Sequence, residues 1–373
     1  MNFDFTPEQD EAADLAARIL ADRATPQRQR AVEEAGDRFD RDLWSALGEA
    51  GLLGLAVPEA HGGAGLGLVE LARVLVEIGR TVAPVPLAVH GPAALLVAES
   101  GNAEQAAAWL PAAAAGDAVL TAAVAEDHAA LPDEPATVAQ RDGGAWRLSG
   151  AKTVVRAGMA ADAFLVPAAI DTGVGVFLVR ADDPGVTRLA QHTSDGDVAA
   201  RLEFEDARLP VDRVVGDTDG VAAARLGQLL TVCACAEQLG VVRGALALTA
   251  GYAKTREQFG RPIGTFQAVS QRLADGYIDA LMQELTLWQA VWRTSERLPA
   301  VVEVATAKLW AADAGHRVAH TTVHVHGGVG IDLDGEAHRY FTAAKRFEFA
   351  WGPATEQART IGRALAAEPA GSM

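Results

Sequence analysis

Two arginines at a bend mark the segment of this sequence best equipped for chemistry: Tyr252-Ala-Lys-Thr-Arg-Glu-Gln-Phe-Gly-Arg-Pro-Ile-Gly-Thr-Phe-Gln267. Arg256 closes a long helical stretch, the chain turns at Gly260 and Pro262, and a helix restarts after Gly264 and Thr265. Guanidinium groups are fixed forks of donors, and two of them beside a bend suit a pyrophosphate. Basic residues at a helix C-terminus equally complement the helix dipole, so the residues alone leave both roles open. His316, His320 and His324 recur every four residues on one helical face, with His326 just beyond. Metal-binding histidines on a helix use that spacing. No carboxylate or thiolate shares the register, so packing or a polar contact is expected and no metal is assigned. Gly62-Gly-Ala-Gly-Leu-Gly67 lacks the preceding strand a dinucleotide fingerprint needs and reads as a tight turn. Gly327-Gly-Val-Gly330 follows a helix; it ends that helix or lets a ligand approach the backbone closely. Cys233 and Cys235, two apart in a helical stretch, point to different faces, which argues against a disulfide or a zinc site.

The elements that position these groups follow from periodicity. Residues 4–115 read as helices, beginning at Thr6-Pro-Glu, a capping residue followed by proline. From about Ala118 the period becomes strand-like: Val119–Val124, Ala145–Leu148, Thr153–Val155, Ala163–Val166, Gly175–Val179 and Ala200–Phe204, separated by turn residues. Long helical segments return over 219–255, 265–294 and 299–325, as a bundle requires. A chain of 373 residues holds two or three domains at roughly 100–200 residues each. We expect 1–116 to be helical, 117–217 a small β domain and 218–373 a helical bundle. A formal charge of −17 argues against nucleic acid or anionic lipid as the partner. The polar, acidic start Met1–Gln9 is no signal segment, and no unbroken apolar run reaches the roughly 20 residues of a membrane helix. A cytoplasmic location is expected.

The 255–267 segment resembles the most specific stretch of the acyl-CoA dehydrogenase family, in Thr255-Arg-Glu-Gln-Phe-Gly-Arg-Pro-Ile-Gly with Phe266-Gln267. Val57-Pro-Glu-x-x-Gly-Gly-x-Gly, Leu148-Ser-Gly-Ala-Lys152 and His326-Gly-Gly-Val-Gly330 agree in order, so the likeness spans essentially the whole chain. The resemblance implies an α+β multidomain fold: an N-terminal helical domain, a middle β-barrel-like domain and a C-terminal four-helix bundle, with FAD bound between subunits. It also implies α,β-dehydrogenation of an acyl thioester, by a glutamate that takes the α-proton and a flavin that takes the β-hydride. Electrons then pass to an electron-transfer flavoprotein.

Within that resemblance the matches and losses separate. The family's neighbouring subunit reaches across to the FAD pyrophosphate and adenosine. Its residues are matched by Arg256, Phe259, Gln267, Gly327 and Gly328, with His324 in place of a glutamine. The half that cradles the isoalloxazine is eroded. The Thr-Glu-Pro-x-x-Gly-Ser-Asp loop aligns with Ala125-Glu-Asp-His-Ala-Ala-Leu-Pro132, and Trp-Ile-Thr-Asn with Val154-Val-Arg-Ala157. Trp351 stands where the catalytic glutamate belongs, and the family's alternative base position is Leu230. Neither side chain accepts a proton. Glu237 and Glu348 are the nearby carboxylates. Burial would raise the pKa of either towards that of a general base, whereas an ion pair would leave it structural. Two arrangements follow. In one, a paralogous acyl-CoA dehydrogenase subunit supplies base and cradle, and this chain completes the FAD site. In the other, a homo-oligomer uses a relocated base or a different flavin reaction on an acyl-CoA or acyl-carrier substrate. A structural homologue without FAD is a third reading, against which the Arg256–Gly260 motif counts.

Overall fold

The structure, a computed structural model, describes residues 4–367. Among these the helices are α1 (Pro7–Arg23), α2 (Pro26–Ala35), α3 (Arg41–Glu49), α4 (Leu68–Arg80), α5 (Leu87–Ser100), α6 (Ala103–Ala115), α7 (Val221–Thr255), α8 (Gln267–Ser295), α9 (Val301–His326), α10 (Ala337–Phe349) and α11 (Ala354–Ala367). The strands are β1 (Leu120–Ala122), β2 (Val138–Asp142), β3 (Ala145–Val155), β4 (Ala163–Ile170), β5 (Gly173–Arg180), β6 (Val186–His192), β7 (Val198–Pro210), β8 (Val214–Val215), β9 (Glu257–Gln258) and β10 (Arg261–Pro262). Helices, a sheet and helices again follow one another as the sequence implies.

Local chemistry explains the element ends. The Thr6 hydroxyl accepts from the Gln9 N–H, Gln9 returns the bond to Thr6, and Pro7 fills the first helical position. Asn102 and Gln105 repeat the device at α6. The main sheet is an open path, β6-β7-β3-β2-β4-β5-β8, with β1 parallel on β4. Three strands of that sheet, β2, β6 and the two-residue β8, escaped the periodicity. β2 fully buries only Ala139 and β6 buries no residue, since β6 lies at the edge beside β7 alone. Without a buried face there is no alternation to read. The runs at 145–148 and 153–155 form one strand, β3, whose register against β7 shifts between Leu148 and Gly150 and between Lys152 and Val155.

The chain forms two compact units: one contains residues up to Pro26, Ala72–Ala83 and everything from Ala234, the other Gln27–Leu71 and Pro84–Cys233. α7 is long and apolar enough to cross a membrane by length and composition alone, yet its apolar window is mostly buried inside the fold.

In the second unit a buried imidazole ties helices to sheet. His90, on α5, has no exposed surface; the Leu120 N–H donates to its Nδ1 at 3.1 Å, and its Nε2 lies 3.2 Å from the Ala113 carbonyl. Because Nδ1 accepts, Nε2 carries the proton, and the neutral ring satisfies both neighbours. Burial pushes the imidazole pKa down to about 4. Its contribution to stability is therefore complete above the unfolded value near 6.5 and is lost as pH falls to and through about 4. About 3 kcal/mol is at stake over that window. Denaturation midpoints measured from pH 7 to 5 should fall for the native chain and stay flatter for His90→Gln; equal slopes would remove His90 from the account.

Candidate functional site

The Arg256 hairpin begins where α7 ends. The Arg256 N–H still donates to the Tyr252 carbonyl at 2.8 Å, and the Ile263 N–H returns to the Arg256 carbonyl, also at 2.8 Å. Between them β9 and β10 pair Gln258 with Arg261 and Glu257 with Pro262. The two-residue tip, Phe259 and Gly260, has φ of 54° and 74°, the positive pair that tight hairpins demand. Glycine adopts that region freely; phenylalanine does so at a cost. The Phe259 side chain is 93% exposed, with the Phe266 ring edge-on at 6.2 Å and the Arg261 guanidinium 4.3 Å over Phe266. Arg256 and Gln267 are exposed at the hairpin base and the start of α8. Among the described residues no carboxylate pairs with Arg256.

The end of α9 lies against the end of α7. The Thr249 and Thr322 hydroxyls are 3.1 Å apart, and the Tyr252 and His326 rings stack at 4.4 Å and 21°. Gly327 then takes φ 65°, ψ −141°, a conformation essentially reserved for glycine. A Cβ added to Gly327 or Gly328 would meet nothing within 4 Å, so both backbones face open space. His324 is exposed on the last turn. The six residues expected to reach a neighbour's FAD thus sit on two segments joined by the Tyr252–His326 stack. A guanidinium with no carboxylate partner among the described residues, on a segment joined through that stack to open glycine backbone, suits a phosphate-bearing ligand.

The expected bases lie in other surroundings. Glu237, on α7, is buried, with Arg346 Nη2 donating to its Oε1 at 3.3 Å. Glu348, at the end of α10, accepts from Lys345 Nζ at 2.6 Å and lies 3.1 Å from His316 Nδ1. Burial raises the Glu348 pKa, but the Lys345 and His316 bonds and charges outweigh it and hold the carboxyl below its ordinary value. That is opposite to the shift burial alone gives, and it keeps Glu348 ionised and paired. Lys345 Nζ also lies 3.1 Å from His316 Nδ1, so the ammonium, the imidazole and the carboxylate each touch the other two. His320 leans on His316 at 4.5 Å. Trp351 is half-buried with φ 58° and packs on the cluster around Val82, Val241 and Phe347; Gln357 Nε2 donates to its carbonyl at 2.9 Å. Leu230 is fully buried.

Several partners escaped sequence reasoning. Lys308, fully buried, donates to the Glu348 carbonyl at 3.2 Å, and burial pushes its ammonium down to about 8. It caps the helix that leads to Trp351. Arg346 and Glu237 are 109 positions apart, a separation no spacing rule bridges.

In the sheet unit, Glu126 and Lys152 form one ion pair. Lys152 is wholly buried and its Nζ donates to Glu126 Oε1 at 2.7 Å; Glu126 also accepts from the Ala136 N–H at 2.6 Å and from Thr137 N–H and Oγ1. Beyond Lys152, Val154 and Ala157 take φ of 48° and 57°. Gln191 Oε1 accepts the Val154 N–H at 2.8 Å, and Arg156 Nε lies 3.5 Å from Asp197 Oδ2. Where the family has an aromatic and a hydroxyl for the flavin, this chain has an aliphatic residue and an arginine engaged with its own aspartate. Those residues do not fit an isoalloxazine.

Two family models match: acyl-CoA dehydrogenase, N-terminal domain, over residues 6–117, and acyl-CoA dehydrogenase, C-terminal domain, over 228–366. Acyl-CoA dehydrogenase FadE27 of Mycobacterium tuberculosis is 47% identical over 379 aligned residues, covering 99% of this chain and 100% of that protein. A chain of the ChsE4–ChsE5 complex of Mycobacterium tuberculosis superposes with TM-score 0.94 at 48% identity, covering 99% and 100%. A chain of a Tcur3481–Tcur3483 steroid ACAD variant gives TM-score 0.91 at 43% identity, covering 96% and 98%.

Proposed function

We propose, from the premise that this chain belongs to the acyl-CoA dehydrogenase family, that it is the FAD-completing subunit of a heteromeric enzyme in that family. A paralogous subunit then provides the catalytic carboxylate and the isoalloxazine cradle. The observation that carries this is the contrast between two regions. The reaching-across residues Arg256, Phe259, Gln267, His324, Gly327 and Gly328 are all exposed, while position 351 is a packed tryptophan.

The family are oxidoreductases acting on CH–CH groups with FAD, which supplies the hydride acceptor when bound. Within that reaction Arg256 would neutralise the pyrophosphate, and Gly327 and Gly328 would let their backbone approach it. Phe259 would shield that end from water. Glu237 and Glu348 hold Arg346 and Lys345 and move no proton. The close likeness to chains of two-protein complexes supports an unlike partner. Likeness to the steroid ACAD supports a ring-bearing acyl thioester as substrate, and an electron-transfer flavoprotein would take the electrons, in the cytoplasm. On the family's plan the chain runs through three successive domains, 1–116, 117–217 and 218–373, which differ from the two compact units its contacts define.

The test is flavin content with native mass, for the chain alone and co-expressed with its paralogue. Little FAD alone and about one per pair of unlike chains together is the expected result. One FAD per chain in a stable homo-oligomer would overturn the proposal and return Glu237 and Glu348 as bases. In the heteromer, Glu237→Gln should leave the pH dependence of turnover in place, because the titrating base belongs to the partner.

A further inference from the structure

We propose that the stacked pair Tyr252–His326 is a binding contact for the nucleoside end of the dinucleotide, a role resting on the assignment of this edge to FAD. The pair has work left over after folding. His326 is only 9% exposed, and its Nδ1 lies 2.8 Å from the Thr322 carbonyl. A carbonyl accepts, so Nδ1 carries the proton and Nε2 keeps its lone pair. Among the described residues neither that Nε2 nor the Tyr252 hydroxyl is hydrogen-bonded, although Tyr252 lies one helical turn before Arg256 and His326 immediately precedes Gly327. The ring stack and the Thr322 bond use the imidazole face and Nδ1, which leaves the Nε2 lone pair and the neighbouring tyrosine hydroxyl available to a ligand.

The direction of the hydrogen bond selects the ligand group. Nε2 in this tautomer accepts, and phosphate oxygens only accept, so the phosphates are left to Arg256. The partner of Nε2 must donate, as a ribose hydroxyl or an adenine amino group does. The tyrosine hydroxyl can answer a ribose hydroxyl in either sense. Two polar groups, one a helical turn before Arg256 and one next to Gly327 in the chain, thereby read the nucleoside.

His326→Phe and Tyr252→Phe keep the ring stack and remove one polar atom set each. In the assembly that carries flavin, FAD is removed and its rebinding followed by flavin fluorescence, with FMN and AMP titrated alongside. Each variant should weaken FAD about five- to tenfold, the worth of one or two hydrogen bonds. AMP should compete correspondingly less well, FMN affinity should not move, the thermal midpoint of the apo-protein should not move for Tyr252→Phe, and His326→Gln should recover part of the loss. Unchanged FAD binding in both phenylalanine variants, or an equal loss for FMN, overturns the proposal. Tyr252→Phe carries the test should His326→Phe not fold. Arg256→Ala is measured in parallel: if it leaves FAD binding intact, the assignment of the edge to FAD fails as well, whereas a loss confined to Arg256→Ala removes only the Tyr252–His326 contact.

Discussion

Arg256→Ala should cost FAD binding about two orders of magnitude while leaving the fold untouched. A charge-assisted contact to phosphate is worth about 1.5–3 kcal/mol when one partner is truncated, which is roughly a tenfold to hundredfold change in affinity, and a bidentate fork sits at the upper end. Stability should move by less than about 0.5 kcal/mol, because Arg256 is exposed and no carboxylate pairs with it among the described residues. Arg256→Lys keeps the charge and loses the fork, so an intermediate loss is expected. Flavin absorbance of the purified assembly, read beside the apo-protein's thermal midpoint, separates the two effects. Full flavin content in Arg256→Ala would mean that the guanidinium serves only the helix C-terminus.

The second large effect is on stability and falls in the sheet unit. Lys152→Met should destabilise the fold by about 3–5 kcal/mol, the usual result of removing one partner from a buried ion pair. Burial raises the Glu126 pKa, but the Lys152 bond and charge and the Thr137 and Ala136 backbone donors more than offset it, so the carboxyl lies below its ordinary value. The pair's contribution is therefore present above about 4.5 and is lost as pH falls below that. Without Lys152 the carboxylate stays buried among three remaining donors. Adding Glu126→Gln to Lys152→Met should then recover part of the loss, so the two changes will not add. Chemical denaturation of the single and double variants at pH 7 decides this. A loss below about 1 kcal/mol for Lys152→Met would show that water reaches the site freely.

What the sequence made legible was whatever is local. The Thr6 cap, the long α7, α8 and α9 helices and the bend at Gly260 are each written within a few residues, and the structure follows them. Edge strands are not local in this sense: β6 buries nothing, so its residues carry no alternation. Charge partners are harder still. Glu126 and Lys152 each stood in a recognisable motif, yet their contact depends on how β3 folds back. Glu348 shows why a carboxylate's character cannot be read from its neighbours in sequence alone. Lys345, three residues away, was visible; His316, from another helix, was not.

The Phe259 tip has a meaning for the cell as well as for the ligand. A bare aromatic ring at a hairpin tip is apolar surface that stays in water until a ligand or counterpart covers it. Copies made in excess of whatever shields that ring would go to chaperones and proteases. The abundance of this chain would then be governed by the supply of its counterpart, and expression level alone would be a poor guide to how much survives.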